Sequence, residues 1–285
     1  MSDFFCTGGR ERLLHRQGPC QWRWAGSSGV GGMDKLFNEA EFNIRYGKRL
    51  AIVVPFRNRP RHLSAFMNRI TAYFRRDKLD KHIAVSVHVV EQHGVGVFNR
   101  GKLKNVGFAL AKETTDYVCF HDVDYLPIWA DYSWSPTSAR LIWHGLRARE
   151  DPERFFGGVV LFDNTAFQKI NGYPNSYWGW GFEDAELRIR TEHVLGPFEK
   201  RDGTYLPLPH KSEGVLAPGM MSQDGIRNGA YFRTRQPDIA RWMARDGLSN
   251  LKFKMVDRVQ MRLNGKIVPG AFRHVVDIGE PEAKS

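Results

Sequence analysis

The chain has 285 residues, of which 42% are hydrophobic and 13% aromatic, a composition that excludes a disordered protein. Its formal net charge of +11 predicts a surface that attracts anions. The basic residues are spread along the chain without any nucleic-acid-binding motif, so we expect no nucleic-acid partner. Cys6, Cys20 and Cys119 form neither a metal pattern nor a disulfide framework, and no apolar run reaches the roughly 20 residues of a membrane helix. These features favour a soluble protein of a reducing compartment.

The N-terminal segment differs in composition from the rest of the chain. Residues 1–32 are rich in Gly, Arg and Ser, and GSSGVGG at 26–32 is typical of a flexible linker. We therefore predict a disordered extension over residues 1–45 and a single folded domain over residues 46–280.

The first half of that domain alternates between strand and helix patterns. Apolar runs predict strands at 50–54, ended by Pro55, at 82–92 and at 116–124. Helices are predicted between them, one from Pro60 with apolar residues at helical spacing up to Phe74, and one over 99–113. This alternation predicts an α/β fold with a largely parallel sheet.

The second half gives a less regular pattern. Residues 125–153 and 200–240 read as irregular or loop-like, and 171–181 as a Gly-rich aromatic loop. A strand is predicted at 155–162, helices at 163–170 and 182–194, and two late strands at 252–263 and 273–279 that form a hairpin turned at Asn264 and Gly265.

Two carboxylates, Asp122 and Asp124, follow the strand predicted at 116–124. Parallel strands end at the same edge of a sheet, which places them beside residues 55–59 and 92–99, where open α/β folds bind ligands. Carboxylate oxygens suit Mg²⁺ or Mn²⁺, and such a metal commonly carries a substrate phosphate. The alternative interpretation is a solvated turn at the end of a strand.

Four stretches together resemble one enzyme family. They are VVPFRNRPRHL at 53–63, VFNRGKLKNVGF at 97–108, FHDVDYLP at 120–127, and FFGGV followed by INGYPNSYWGWGFED within 155–184. In this order they resemble the β-1,4-galactosyltransferase family, glycosyltransferase family 7, over residues 50–195 and weakly through 246–258 and 275–279. The resemblance implies the GT-A fold, a Rossmann-like α/β sandwich with a mostly parallel mixed sheet, and a UDP-sugar donor bound with Mn²⁺ or Mg²⁺.

The resemblance also implies a reaction and its residues. Galactose would pass from UDP-galactose, with inversion, to a hydroxyl of a glycan or glycolipid, and Asp184 would be the general base. The implied metal ligands are Asp124 and His210, and a third ligand stays open because Pro207 stands where the family has Met. The implied acceptor contacts are Gly158, Trp180, Glu183 and Asp184. The implied donor contacts are Pro55, Phe56, Arg57, Arg59, Phe98, Arg100, Asp122, Val123, Asp124, Phe155 and Trp180.

Two departures from the family bear on specificity. Ala185 replaces an acid that helps to hold the acceptor sugar in the family, so a different acceptor is expected. Phe155 stands at the donor-selecting position, where its bulk favours galactose over N-acetylgalactosamine. The alternatives are a UDP-N-acetylgalactosamine transferase of polysaccharide synthesis and a non-catalytic UDP-sugar-binding homologue.

The resemblance also bears on location. Animal members carry an N-terminal membrane anchor for the Golgi, and none is visible here. We therefore expect a bacterial-type cytoplasmic enzyme of polysaccharide synthesis, and its basic surface is compatible with a peripheral position at the inner membrane surface.

Overall fold

The computed structural model describes residues 39–76, 82–141, 156–201, 203–209, 215–217 and 220–281. Contacts divide the chain into two units, Met1–Asn43 and Ile44–Ser285. The first described element is helix α1, Glu39–Tyr46. Residues 1–38, most of the extension predicted to be disordered, lie outside the described residues.

The predicted alternation of strands and helices is confirmed in the first half of the domain. Its elements are β1 (Arg49–Phe56), α2 (Pro60–Arg76), β2 (Ala84–Gln92), α3 (Arg100–Ala111) and β3 (Tyr117–His121). Strand β1 pairs in parallel with both β2 and β3, so the carboxyl ends of all three strands meet at one edge of the sheet.

The second half completes the sheet from both sides. Among the described residues the main sheet has the order β11-β12-β2-β1-β3-β6-β5-β7, with β6 antiparallel to β3 and β12 parallel to β2. The remaining elements are β4 (Tyr125–Ala130), β5 (Ser138–Arg140), β6 (Val159–Asp163), α4 (Asn164–Lys169), α5 (Glu183–Leu195), β7 (Glu199–Lys200), β8 (Gly203–Pro207), β9 (Val215–Ala217), β10 (Met220–Met221), α6 (Gln223–Arg235), α7 (Ile239–Arg245), β11 (Lys254–Leu263), β12 (Lys266–Asp277) and 3₁₀ turns at Gln236–Asp238 and Leu248–Asn250.

Two predicted strand ends were wrong. Strand β1 continues through Pro55, which pairs with Val90 of β2. The pairing of β1 with β3 stops at Val53. Pro55 has no N–H to donate, and it lies beyond the part of β1 that pairs with β3. Strand β3 ends at His121, and the two carboxylates that follow lie in a turn rather than in the strand.

The prediction of irregular structure over 125–153 and loop over 200–240 was wrong in the described parts. Strand β4 pairs with β8, which lies more than 70 residues later in the chain, and the short β5 joins the main sheet beside β6. Helix α6 has no continuous apolar face, and two glycines lie within it. These elements depend on partners distant in the chain, so local patterns do not indicate them.

The late hairpin and its turn were predicted correctly, but its second strand begins at Lys266 rather than at residue 273. Strands β11 and β12 are antiparallel, and their turn has positive φ angles of 49° at Asn264 and 78° at Gly265. Asn and Gly tolerate this left-handed backbone, which matches the twist of the two strands.

Helix α3 carries the site residues described below and packs directly on the sheet. A methyl group at Gly107 would lie 2.2 Å from Val53 Cγ1 and 3.0 Å from Val90 Cγ2. The helix therefore approaches β1 and β2 more closely than any larger residue allows, which fixes the position of its first turn at the sheet edge.

Within the described ranges, no helix has both the length and the apolar character needed to cross a bilayer.

We expect Gly107→Ala to lower the free energy of unfolding by about 1–3 kcal/mol, because the added methyl overpacks the contact between α3 and the sheet. Helix propensity alone would change stability in the other direction, by about 1 kcal/mol in favour of Ala. Urea unfolding decides between the two effects, with Arg69→Ala on the exposed face of α2 as the control. Stabilisation of the Ala variant would contradict the close approach.

Candidate active site

The turn after β3 brings both predicted carboxylates to the sheet edge. Asp122 N donates to Gly158 O (2.8 Å), and Tyr125 N donates to Asp122 O (3.3 Å). The carbonyl oxygen of Asp124 accepts a hydrogen bond from Leu208 N (2.7 Å). Backbone hydrogen bonds therefore connect this turn to Gly158, just before β6, and to Leu208, just after β8.

Asn99 determines where α3 begins. Its Oδ1 accepts from Lys102 N (2.8 Å), and its Nδ2 donates to Asn175 O (2.6 Å). Its own amide donates to Gln92 Oε1 (2.9 Å) at the end of β2. The cap thus joins a strand end, the helix and the loop before α5, and it places Arg100 in the first helical turn.

Arg100 connects two elements that carry acidic residues. Its Nη1 lies 3.2 Å from Asp122 Oδ2, and its Nε donates to Glu183 Oε1 (2.5 Å) in the first turn of α5. Lys104, one turn further along α3 and buried, places Nζ 3.3 Å from Asp122 Oδ1. Two cations of one helix face thus hold two carboxylates, and Asp184 lies directly beside them.

Two of the acidic groups at this site, Asp184 and Asp122, have opposite pKa shifts. Burial raises the pKa of Asp184 to about 6, with a further contribution from the charge of Glu183. Burial also opposes ionisation of Asp122, but the charges of Lys104 and Arg100 outweigh it and hold the pKa of that carboxyl below its ordinary value. Asp122 is therefore a fixed anion, whereas Asp184, which is partly accessible, can exchange a proton near neutral pH.

The WGWG loop, Trp178–Gly181, is held by α6, a contact that the sequence did not predict. Asn228 Nδ2 donates to the carbonyls of Trp178 (3.1 Å) and Trp180 (3.0 Å). The Trp180 ring lies against Gly225, where a methyl group would come within 3.2 Å of Cε3. On the other side, Gly179 N donates to Phe98 O (2.7 Å). The loop is thus fixed between α6 and the segment before α3.

The first predicted donor motif contributes two arginines to this edge. The Arg57 guanidinium lies 5.0 Å from the centre of the Phe98 ring and donates to Gly96 O. Arg59 Nη1 lies 3.9 Å from Asp124 Oδ2. Pro55, Phe56 and Val123 are also at this edge, but they are buried side chains, so they would shape the site more than present free surfaces to a ligand.

The residues at the predicted metal position fit a divalent cation in part. Asp124 offers hard carboxylate oxygens, and the nearby Arg59 guanidinium shows that this position accommodates a positive group. In the described part of the chain no three His, Cys, Asp or Glu side chains form a metal-binding group. His210 lies outside the described residues.

Phe155, the predicted donor-selecting residue, also lies outside the described residues. Of the remaining predictions, the structure brings Arg57, Phe98, Arg59 and Asp124 together, and it brings Arg100, Asp122, Gly158, Glu183 and Asp184 together. Lys104 was missed, although its position four residues after Arg100 puts both on one helix face.

Two family models match the chain. The model described as the N-terminal region of glycosyl transferase group 7 matches residues 42–133, and the one described as the N-terminal domain of galactosyltransferase matches residues 143–211. Together they include more than half of the chain. The chain belongs to glycosyltransferase family 7.

Curated relatives in this family are animal enzymes. Beta-1,4-galactosyltransferase 4 of Rattus norvegicus is 37% identical over 217 residues, which are 73% of this chain and 59% of that protein. Beta-1,4-galactosyltransferase 6 of Mus musculus is 31% identical over 237 residues, which are 78% of this chain and 57% of that protein. The chain thus spans less than two thirds of the length of these relatives.

Solved structures confirm the fold of this family 7 chain. The catalytic domain of Drosophila beta-1,4-galactosyltransferase 7 in complex with xylobiose has a TM-score of 0.65 at 25% identity, covering 81% of this chain and 94% of that chain. A mutant of the same enzyme in complex with manganese, UDP-Gal and xylobiose has a TM-score of 0.58 at 26% identity, with the same coverage. The predicted GT-A fold is therefore confirmed.

The predicted cytoplasmic location was wrong, and the bacterial-type assignment is not supported. The relatives named above are enzymes of rat and mouse, and animal members of family 7 are Golgi-resident membrane proteins. The prediction took the cysteine pattern and the lack of an apolar run as signs of a cytoplasmic protein, but neither feature distinguishes the catalytic domain of an anchored enzyme.

We expect Asp184→Asn to raise the free energy of unfolding of the metal-free protein at pH 7.5 by about 1 kcal/mol, with the gain disappearing toward pH 4. The folded-state pKa of about 6 lies above the ordinary value, so ionisation of Asp184 costs stability as the pH rises through this interval. Each pKa unit corresponds to about 1.4 kcal/mol, and partial exposure to water reduces this cost.

Thermal or urea unfolding at several pH values measures this effect. Asp116→Asn is the matched control with the opposite sign, because the side-chain hydrogen bond from Arg49 holds the pKa of Asp116 below its ordinary value. A stability difference for Asp184→Asn that does not vary with pH would contradict the shift.

Proposed function

We propose that this chain is an inverting, metal-dependent galactosyltransferase that moves galactose from UDP-galactose to a sugar hydroxyl in β linkage. The observation that carries the proposal is that all four family motifs meet at one sheet edge. Arg59 reaches Asp124, Arg57 covers Phe98, and Arg100 reaches both Asp122 and Glu183. A sugar nucleotide needs such a convergence, since its base, diphosphate and sugar extend over several contacts.

Donor binding is assigned to the arginines and to Phe98. The planar guanidinium groups of Arg57 and Arg59 match the geometry of phosphate oxygens. The half-buried Phe98 ring offers a face on which the uracil of the donor can stack. The ionised carboxylate of Asp122 can accept hydrogen bonds from ribose or sugar hydroxyls. When bound, a divalent cation held by Asp124 and His210 would neutralise charge on the diphosphate leaving group.

Asp184 is assigned as the general base. The acceptor hydroxyl oxygen attacks the anomeric carbon from the face opposite UDP, and the carbon–oxygen bond to the diphosphate breaks with its electron pair leaving on UDP. The hydroxyl proton passes to the Asp184 carboxylate, whose pKa of about 6 leaves it mostly ionised at neutral pH. Glu183, held by Arg100, would orient sugar hydroxyls, and Trp180 would cover the bound sugars.

The acceptor is proposed as a glycan or glycolipid. Xylobiose is the ligand of the Drosophila enzyme that shares this fold. Ala185 lacks a carboxylate, and the net charge of +11 favours an acceptor that carries negative charge, including one at a membrane surface. Transfer of N-acetylgalactosamine, as in polysaccharide synthesis, is the alternative reaction on the same scaffold, and binding of UDP-sugar without transfer is the alternative to catalysis.

A donor screen of the purified chain with Mn²⁺ tests the reaction by UDP release and by transfer to sugar acceptors. We expect UDP-galactose to be used, EDTA to abolish transfer, and Asp184→Asn to reduce kcat by at least about 100-fold, the usual contribution of a positioned base. Asp116→Asn, a carboxylate at the opposite end of β3, is the control and should retain the rate. Binding of UDP-galactose without turnover by the wild type would favour the non-catalytic alternative.

Phe155→Leu tests the donor preference. If the bulk of Phe155 excludes the N-acetyl group, the smaller side chain should raise kcat/KM for UDP-N-acetylgalactosamine by about tenfold or more while UDP-galactose is still used. Competition between the two donors in one reaction measures the ratio directly. An unchanged ratio of the two donors would show that Phe155 does not select the donor sugar.

A further inference from the structure

Lys104 is a buried cation whose position demands an explanation. Only 1% of its side chain is exposed, and lysine is almost never buried to this extent unless it is paired. Its ammonium group lies 3.3 Å from Asp122 Oδ1 and 5.1 Å from the centre of the Tyr173 ring. Desolvating an ammonium group is costly, and replacing a whole buried ion pair by packed apolar side chains is often neutral or stabilising, so fold stability alone is a weak explanation for the buried Lys104–Asp122 pair.

The location of Lys104 connects it to Asp184. Asp122 uses one carboxylate oxygen for Lys104 and the other for Arg100, and Arg100 also holds Glu183 next to Asp184. Without Lys104, the cluster would lose one positive charge while the carboxylates of Asp122 and Glu183 stayed in place. The electrostatic potential at Asp184 would then be more negative, which favours its protonated form.

We propose that Lys104 is a positioning residue of the transfer reaction: by sharing Asp122 with Arg100, it keeps the Asp184 carboxylate deprotonated under mildly acidic conditions. This inference rests on the proposed role of Asp184 as base. It adds a residue that touches neither donor nor acceptor and that determines the pH range in which the base is available.

The charges around Asp184 agree with this role. Burial and the negative charge of Glu183 favour its protonated form, and the positive charges of Arg100 and Lys104 oppose protonation. The Tyr173 phenol stays neutral, because burial raises its pKa well above the ordinary value. The groups that face this cluster come from α3, from the turn after β3, and from α5 with the loop before it: Arg100, Lys104, Asp122, Tyr173 and Glu183.

The test compares the pH dependence of kcat/KM in charge-removing and charge-retaining variants. In Lys104→Met, which keeps the length of the apolar stem, we expect the acidic limb to move to higher pH by on the order of half a unit to one unit. At a fixed pH on that limb this corresponds to about a threefold to tenfold loss of activity. Lys104→Arg should keep the wild-type midpoint, and so should Lys112→Met at the far end of the same helix, whose ammonium pairs with the exposed Glu113.

A direct titration separates this inference from the proposed function. Carbon-13 labelling of aspartate carboxyls in the metal-free protein, with Asp184→Asn to assign the signal, reports the Asp184 midpoint without turnover. The midpoint should rise in Lys104→Met and in a second variant, Lys104→Gln. A rise in a protein that transfers no sugar would support the charge effect and reject the enzymatic role.

Three results would overturn the inference. One is an unchanged midpoint of Asp184 in both charge-free variants. Another is a loss of kcat/KM that is equal at every pH, which a merely structural defect would produce. The last is failure of both charge-free variants to fold while Lys104→Arg folds, which would make the ammonium group a requirement of the fold rather than a means of adjusting the base.

Discussion

The site depends on one interaction, the sharing of the Arg100 guanidinium between Asp122 and Glu183. These carboxylates belong to elements about 60 residues apart in the chain, one after β3 and one at the start of α5, and acidic groups so close together repel one another unless a cation lies between them. The planar guanidinium can serve two carboxylates at once because its donors point in fixed directions. The Asn99 cap and the close packing of Gly107 on the sheet place α3 so that Arg100 reaches both groups.

Helix α5 is fixed from its buried side as well. Glu186 accepts hydrogen bonds from Tyr177 Oη and from Arg190 Nη2, each at 2.6 Å, and it is fully buried. Arg235 of α6 donates to Asp246 (2.8 Å) and approaches Glu186 (3.4 Å). Breaking a buried, hydrogen-bonded ion pair leaves an uncompensated charge, which is costly. These contacts therefore hold the first turn of α5, which carries Glu183 and Asp184, in place.

Local sequence patterns predicted the strand and helix order up to β3 because each buried strand is a continuous apolar run and each helix shows its own period. They also placed Asp122 and Asp124 at this edge, since the ends of parallel strands share an edge, whereas Glu183 and Asp184 were singled out by the family resemblance. They could not predict α6, which packs through Gly225 and Gly229 against the rings of Trp180 and Phe182 rather than through an apolar stripe. Strand β4 escaped prediction for a similar reason, because its partner β8 is distant in the chain. For the metal, local patterns indicated the two carboxylates after β3, and only the resemblance suggested His210 as a further ligand.

The electrostatics of the site show what a cluster of paired charges does for Asp184, the proposed base. A carboxylate of ordinary pKa is ionised at neutral pH but is a weak base, and burial with Glu183 beside it raises the proton affinity of Asp184 by about a hundredfold. If burial raised the pKa much further, the carboxylate would be protonated at the working pH and could not accept a proton. The positive charges of Arg100 and Lys104 oppose that rise, and they do so while bound to Asp122 and Glu183, so neither cation has to contact the base. The carboxylate is partly accessible, as its proposed role toward an acceptor hydroxyl requires.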